Sequence, residues 1–172
     1  MKKTMKILTI GTLAMALAAC SGNKFSVTGQ VTGAKDSVLY FENVGLNGIE
    51  EVGKTTLGEG GHFTFCGEAT GAPEFYRLRI SDQIINVSID STETVTVKAQ
   101  YPAMASQYEV SGSDNCQKIK ELTLKQMDLT KRAMAVANNH ALTVDQSNDS
   151  ILKMIKDYKQ DVKMNYILKE PN

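Results

Sequence analysis

The sequence predicts a mainly β fold with C-terminal helices: a small antiparallel β-sandwich followed by a helical hairpin. Short runs of alternating apolar and polar residues fill 25–112 and are separated by glycine or other turn residues, which is typical of all-β domains. At Ser113 the apolar period lengthens from two to about 3.6 residues, which indicates helices. The helical pattern ends at Pro171, where proline prevents its continuation.

Eight segments are predicted as strands because each alternates apolar and polar side chains. In chain order they are 25–31, 38–41, 50–57, 62–66, 75–80, 84–90, 94–99 and 108–110. Strands with one apolar face bury it by forming two packed layers or a closed barrel. We choose the two-layer sandwich, and we place the domain boundary between 112 and 113.

Two connections between these strands are predicted as hairpin turns. The first is Gly-Glu-Gly-Gly at 58–61, between the third and fourth strands, and the second is Ser-Thr-Glu at 91–93, between the sixth and seventh. A phosphate-binding loop is the alternative for 58–61, but the segment lacks a following Lys-Ser/Thr and opens no helix. A turn that needs a positive φ explains its glycines better.

The first helix, capped by Ser113 or Asp114, is predicted to have two apolar faces. One face carries Ile119, Leu122, Leu129, Ala133 and Val136, and the opposite one carries Cys116, Leu124, Met127 and Met134. The second helix begins between 145 and 150 with a single stripe of Ile151, Met154, Ile155, Tyr158, Val162 and Tyr166. A helical pair cannot bury the second face of the first helix alone. Either the sandwich or a partner outside the chain covers it, and we favour the partner.

Residues 1–19 have the organisation of a secretory signal peptide, with three lysines followed by an apolar run at 7–17. The run is too short to span a bilayer permanently, which takes roughly 20 residues. Leu-Ala-Ala at 17–19 before Cys20 resembles the lipobox of bacterial lipoproteins. This resemblance implies a diacylglyceryl group on the Cys20 thiol and cleavage before it. An ordinary signal peptide with an unrelated cysteine is the alternative.

The predicted mature protein begins at Cys20 with a short anchored linker, 20–24. We place it in the cell envelope, held by its lipid in the outer membrane and facing the periplasm, with which Ser21 is compatible. The chain has 19 basic and 19 acidic residues, and losing the three lysines of the leader makes it mildly acidic. No basic patch with interleaved aromatic residues indicates a nucleic-acid partner. In an oxidising compartment Cys66 and Cys116 are either a disulfide pair or two free, buried thiols.

Side chains with catalytic or metal-binding potential are few and scattered. His62 and His140 do not lie at metal-ligand spacing from other ligand residues. The sequence contains no G-x-S-x-G nucleophile elbow and no C-x-x-C redox pair. We therefore assign no catalytic, cofactor-binding or metal-binding residue, and expect no cofactor.

The order of the β motifs resembles a known family. These motifs are F-x-V-x-G-x-V-x-G at 25–33, G-x-F-x-F-x-G at 61–67, P-E-F-Y-R-L at 73–78, I-D at 89–90 and V-x-G-S at 110–113. Together with the lipobox they resemble the N-terminal β-domain, of unassigned function, of lipid-anchored thioredoxin-like thiol-disulfide oxidoreductases of Gram-negative bacteria. In that family the catalytic C-x-x-C lies in a C-terminal thioredoxin-like domain, beyond a helical connector.

The resemblance implies that 113–172 is the connector to a thioredoxin-like domain absent from this chain. The chain would then be a non-catalytic accessory domain that spaces, orients or helps to recognise partners. Two other hypotheses remain open: a stand-alone envelope lipoprotein that binds a protein, peptide or glycan, and a hydrolase that uses unrecognised surface residues.

Overall fold

The computed structural model describes residues 22–169 of the 172-residue chain. Within them eight strands precede two helices and a π-helical turn. These elements are β1 (Lys24–Thr32), β2 (Val38–Gly45), β3 (Gly48–Thr56), β4 (His62–Glu68), β5 (Glu74–Ile80), β6 (Gln83–Ile89), β7 (Thr94–Gln100), β8 (Tyr108–Ser111), α1 (Asp114–Ala137), α2 (Val144–Val162) and the π-helical turn (Lys163–Ile167). The mainly β class with a C-terminal helical hairpin is confirmed.

The strands form two four-stranded sheets that pack face to face. The first sheet has the order β4-β1-β7-β8, and the second has the order β3-β2-β5-β6. Neighbouring strands are antiparallel except β1 and β7, which run parallel with Ser26 opposite Thr94. This parallel pair is a departure from the purely antiparallel sandwich that the sequence predicts.

The core lies between the sheets and is lined by the apolar face of each strand. In β1, for example, Phe25, Val27 and Val31 are buried, whereas the residues between them are not. An aromatic cluster fills one part of the core, with the Phe41 ring centroid 5.2 Å from that of Phe65 and 5.0 Å from that of Tyr76. Burial of such side chains contributes about 1.5–3 kcal/mol each and holds the two layers together.

The two predicted hairpin turns are wrong, because each connection crosses from one sheet to the other. β3 and β4 belong to different sheets, and so do β6 and β7. The glycine requirement at 58–61 is nevertheless real, since Gly61 has a φ of 63°. A Cβ on Gly61 would lie 2.0 Å from the Val31 carbonyl oxygen. Positive φ and close backbone approach suit a crossing loop as well as a hairpin.

Helix α1 closes one side of the sandwich. Ser113 caps it as predicted, with its side chain accepting a hydrogen bond from the Cys116 backbone N–H. The helix packs against β6 and β8, the edge strands on that side of the two sheets. Cys116 contacts Ser88 of β6, and one turn later Lys120 lies over the Tyr108 ring at the start of β8. The helix therefore runs antiparallel to β8.

Beyond Leu124, the remainder of α1 extends for about 20 Å to Ala137. Helix α2 then returns alongside it, beginning with a capping box in which Thr143 and Gln146 exchange hydrogen bonds. The return brings the Tyr166 hydroxyl to Glu121 of α1, at 3.1 Å. The pair is the predicted helical hairpin.

Candidate functional site

The lipidation residue predicted from the sequence, Cys20, lies outside the described residues, as does the signal peptide. Among residues 22–169 no three His, Cys, Asp or Glu side chains are grouped so that they could hold a metal ion. None of the described helices is both long and apolar enough to cross a membrane.

Of the two alternatives for Cys66 and Cys116, a disulfide between them is wrong, because Cys116 is a free, buried thiol. Its Sγ donates a hydrogen bond to the Ser88 carbonyl oxygen at 3.1 Å. Burial raises the pKa of this thiol, and a side-chain hydrogen bond with Ser113 only partly offsets that. Cys66 is exposed on β4, the edge strand of the first sheet farthest from β8 and α1. The alternative of two buried thiols is therefore also wrong for Cys66.

A charged cluster that the sequence did not reveal lies on the outer surface of the second sheet. Glu42 of β2, only 6% exposed, receives hydrogen bonds from Arg77 and Arg79 of β5. The Arg77 Nε lies 2.6 Å from one carboxylate oxygen of Glu42, and the Arg79 Nη2 lies 2.7 Å from the other. The guanidinium of Arg79 also covers the Tyr40 ring at 4.3 Å.

This cluster is organised for structure rather than acid-base chemistry. Hydrogen bonds from Arg79 and Arg77 outweigh burial and hold the pKa of Glu42 below its usual value. Both oxygens of the Glu42 carboxylate accept hydrogen bonds from guanidinium groups. Glu42 could therefore act as a base on a substrate only if one of the arginines moved away. The missed signal is the placement of Arg77 and Arg79 two residues apart on one strand, because alternate residues share a face.

A recess lies where α1 leaves the sandwich. It has a volume of about 550 Å³ and is open to solvent. Lys98 and Glu109 line it from β7 and β8, and Lys120 and Leu124 line it from α1. Tyr108 forms part of the wall, and burial raises the pKa of its phenol to about 12. We call this recess the elbow groove.

The helical hairpin next to the elbow groove is held by polar contacts across α1 and α2. Lys125 forms an ion pair with Asp161, and its ammonium group lies 5.0 Å from the Tyr166 ring centroid. The hydrogen bond between them raises the pKa of Lys125 and lowers that of Asp161. The predicted stripe of α2 is half-buried along its length. These contacts fix the register of the two helices.

The two apolar faces of α1 have different environments. The face of Ile119, Leu122, Leu129, Ala133 and Val136 is half-buried. The sandwich covers the beginning of the other face, at Cys116, but Met127 is 42% and Met134 61% exposed. The sandwich thus covers the first turns of this face, and the described residues leave its later turns uncovered. A partner that covers those later turns stays a prediction.

A scan against protein-family models finds no match, and a search of curated proteins finds no similar protein.

Proposed function

We propose that this chain is the lipid-anchored, non-catalytic N-terminal module of an exported thioredoxin-like thiol-disulfide oxidoreductase. The observation that carries the proposal is the projecting hairpin, whose Met127 and Met134 side chains on α1 are exposed although the sandwich already has a complete core. Apolar side chains grouped on a projecting element favour contact with another protein unit.

The residues behind the family resemblance support the proposal because they have specific roles in packing. Phe25 lies in the core, and Gly67 of β4 leaves room for its ring: a Cβ on Gly67 would approach that ring to 2.2 Å. Similarly, a Cβ on Gly29 would lie 1.7 Å from the Val97 carbonyl oxygen. These motif glycines are therefore required by this sandwich and are more than general turn signals.

The direction of the hairpin supports a spacing role. The chain enters β1 at Lys24, at the end of the sandwich where Thr94 begins β7. Helix α1 starts at this same end, since a Cβ on Gly112 would lie 2.0 Å from the Thr94 carbonyl oxygen. From there α1 runs to the opposite end and beyond it. With Cys20 attached to a membrane, the sandwich would hold the hairpin away from the lipid surface.

Two measurements test this proposal. Sequencing of the coding region should show that the reading frame continues past Asn172 and encodes a C-x-x-C motif in a βαβ context. A frame that ends there, with a stable monomeric product, would favour the stand-alone binding lipoprotein instead.

The anchor is tested separately by metabolic labelling with palmitate in a Gram-negative host. The natural chain and the matched Cys66→Ala variant should incorporate label, whereas Cys20→Ala should not. Equal labelling of the Cys20→Ala variant, or no labelling of the natural chain, would reject the lipid anchor.

A further inference from the structure

We propose that the outer face of α1 binds an acidic amphipathic helix of the thioredoxin-like domain. This inference rests on the proposed function and adds the chemistry of the contact. The outer face of α1 is defined by Lys120, Leu124, Met127, Lys131 and Met134. These residues are separated by three or four positions, so they form one stripe along the helix.

The outer face continues a surface that is already used for packing. Cys116 lies four residues before Lys120 on the same stripe and is buried against β6. Leu124 then lines the elbow groove, and Met127 and Met134 follow in the uncovered part of α1. A partner placed here would rest on the sandwich at the groove and on the methionines above it, so that α1 would lie between α2 and the partner.

The size of the outer face fits a helix. From Lys120 to Met134 the stripe is about 21 Å long, which is about four helical turns. Anchors at positions i and i+7, here Met127 and Met134, are characteristic of helix-in-groove recognition. The flexible thioether side chains of methionine adapt to the shape of an apolar partner.

The charge of the outer face indicates an acidic partner. Lys120 and Lys131 lie within the stripe, and Lys98 joins Lys120 in the elbow groove. The acidic residues of α1 between 116 and 134 have partners elsewhere: Glu121 accepts a hydrogen bond from Tyr166, and Asp128 pairs with Arg132. Only Glu109 contributes a negative charge to the groove lining. Carboxylates on a partner would therefore meet an excess of lysines.

The same charges argue against two other occupants. A second copy that docked through the same face would bring Lys120 and Lys131 close to their own counterparts, which is repulsive. An anionic membrane would attract the lysines. However, α1 projects from the end of the sandwich opposite the entry of the chain at Lys24, and therefore away from a lipid on Cys20.

Synthetic peptides test the chemistry of the contact. The probe is a 21-residue amphipathic helix with leucine at heptad positions a and d and glutamate elsewhere on its surface; the comparison peptide has lysine in place of glutamate. Each is titrated into the mature chain, residues 20–172 with Cys20→Ser, and binding is followed by fluorescence anisotropy. We expect the acidic peptide to bind at least tenfold more tightly than the basic one, and to weaken as salt is added.

Variants locate the binding site. Met127→Ser with Met134→Ser, which removes apolar contact without adding charge, should weaken binding of the acidic peptide tenfold or more, and Lys131→Glu should weaken it severalfold. The matched controls on α2 are Leu152→Ser, at a residue 63% exposed, and Lys156→Glu, and both should bind as the natural chain does. All these residues are exposed, so the thermal unfolding midpoint should stay unchanged and loss of binding cannot come from loss of fold.

Several results would overturn the inference. These are no binding of the acidic peptide, equal binding of both peptides, or equal losses in the α1 variants and the α2 controls. Vesicles of phosphatidylglycerol that bind through Met127 and Lys131, when the peptide does not bind, would identify a membrane surface instead. A dimer in sedimentation that Met134→Lys dissociates would identify a second copy. Each of these outcomes leaves the reading-frame and palmitate tests of the proposed function unaffected.

Discussion

Replacement of Glu42 by glutamine tests how much the buried charged cluster contributes to the fold. The substitution keeps the size of the side chain but removes the negative charge that Arg77 and Arg79 share. A hydrogen bond to a charged group contributes roughly 1.5–3 kcal/mol. Glutamine can still accept part of the hydrogen bonding from the arginines, and both arginines can reach water. We therefore expect the free energy of unfolding to fall by about 1–3 kcal/mol at pH 7. That is a measurable fraction of the 5–15 kcal/mol typical of a domain.

The same substitution should change the dependence of stability on pH. The hydrogen bond from Arg79 is the largest cause that holds the pKa of Glu42 below its usual value of 4.5. A carboxyl whose pKa is lower in the folded state stabilises the fold above its unfolded-state pKa, and that stabilisation is lost as pH falls through the folded-state pKa. The difference in unfolding free energy between the natural chain and Glu42→Gln should therefore be largest near neutral pH and should narrow below pH 4.5.

Urea unfolding followed by circular dichroism at several pH values measures both effects. The matched control is Glu59→Gln in the connection between β3 and β4, whose carboxylate pairs with Lys35 at 2.7 Å on the exposed surface. An exposed pair contributes little, so this control should change the unfolding free energy by less than about 0.5 kcal/mol. If Glu42→Gln were as stable as the control variant at pH 7, or if its deficit grew on acidification, the account of the cluster would be wrong.

Three further predictions concern the backbone, the buried thiol and the hairpin. Gly29→Ala places a Cβ against the Val97 carbonyl oxygen and should lower the free energy of unfolding by more than about 3 kcal/mol or prevent folding. The control is Gly58→Ala, whose Cβ meets no atom within 4 Å; equal urea midpoints for the two variants would contradict the packing argument. Because Cys116 is buried and its pKa is raised, iodoacetamide should modify it slowly in the folded chain and readily in urea. Mass spectrometry of the peptide that contains Cys116 measures the extent of modification, and rapid modification without urea would refute its burial. Thr143→Ala removes a capping box and should destabilise the start of α2 by about 1 kcal/mol, which hydrogen exchange at 144–147 would report as a faster rate. The control Ser150→Ala should leave that rate unchanged. If Thr143→Ala kept the protection of the natural chain, the cap would not be what holds the start of the helix.

The existence of the strands and helices could be predicted because it depends on local pattern. In β1 the apolar residues Phe25, Val27 and Val31 alternate with polar ones, and that alternation is what a half-buried strand requires. Ser113 could be recognised as a cap because its side chain can satisfy a free N–H at the start of α1.

The pairing of the strands could not be predicted from the same pattern. Alternation shows which side of a strand faces the core, but it does not identify the neighbouring strand. Glycine-rich and polar connections suit a crossing between sheets as well as a hairpin, which is why 58–61 and 91–93 were misassigned. The parallel pairing of β1 with β7 joins Ser26 to Thr94, far apart in sequence, and no local signal reports such a contact.

The charged cluster on the second sheet shows the same limit for side chains. Glu42 and its partners Arg77 and Arg79 lie on different strands, so the carboxylates looked scattered along the chain. Their contact depends on β2 and β5 becoming neighbours with Glu42 opposite Arg77. Once that register is known, the cluster follows from the shared face of alternate residues.

The sequence shows that α1 has two apolar faces to bury. How much of the second face the sandwich can bury depends on the length of the neighbouring strands. The edge strand β8 runs only from Tyr108 to Ser111, whereas α1 runs from Asp114 to Ala137. A strand rises about 3.4 Å per residue and a helix about 1.5 Å, so β8 can accompany only the first turns of α1. The uncovered Met127 and Met134 are thus a direct consequence of a long helix beginning beside a short strand.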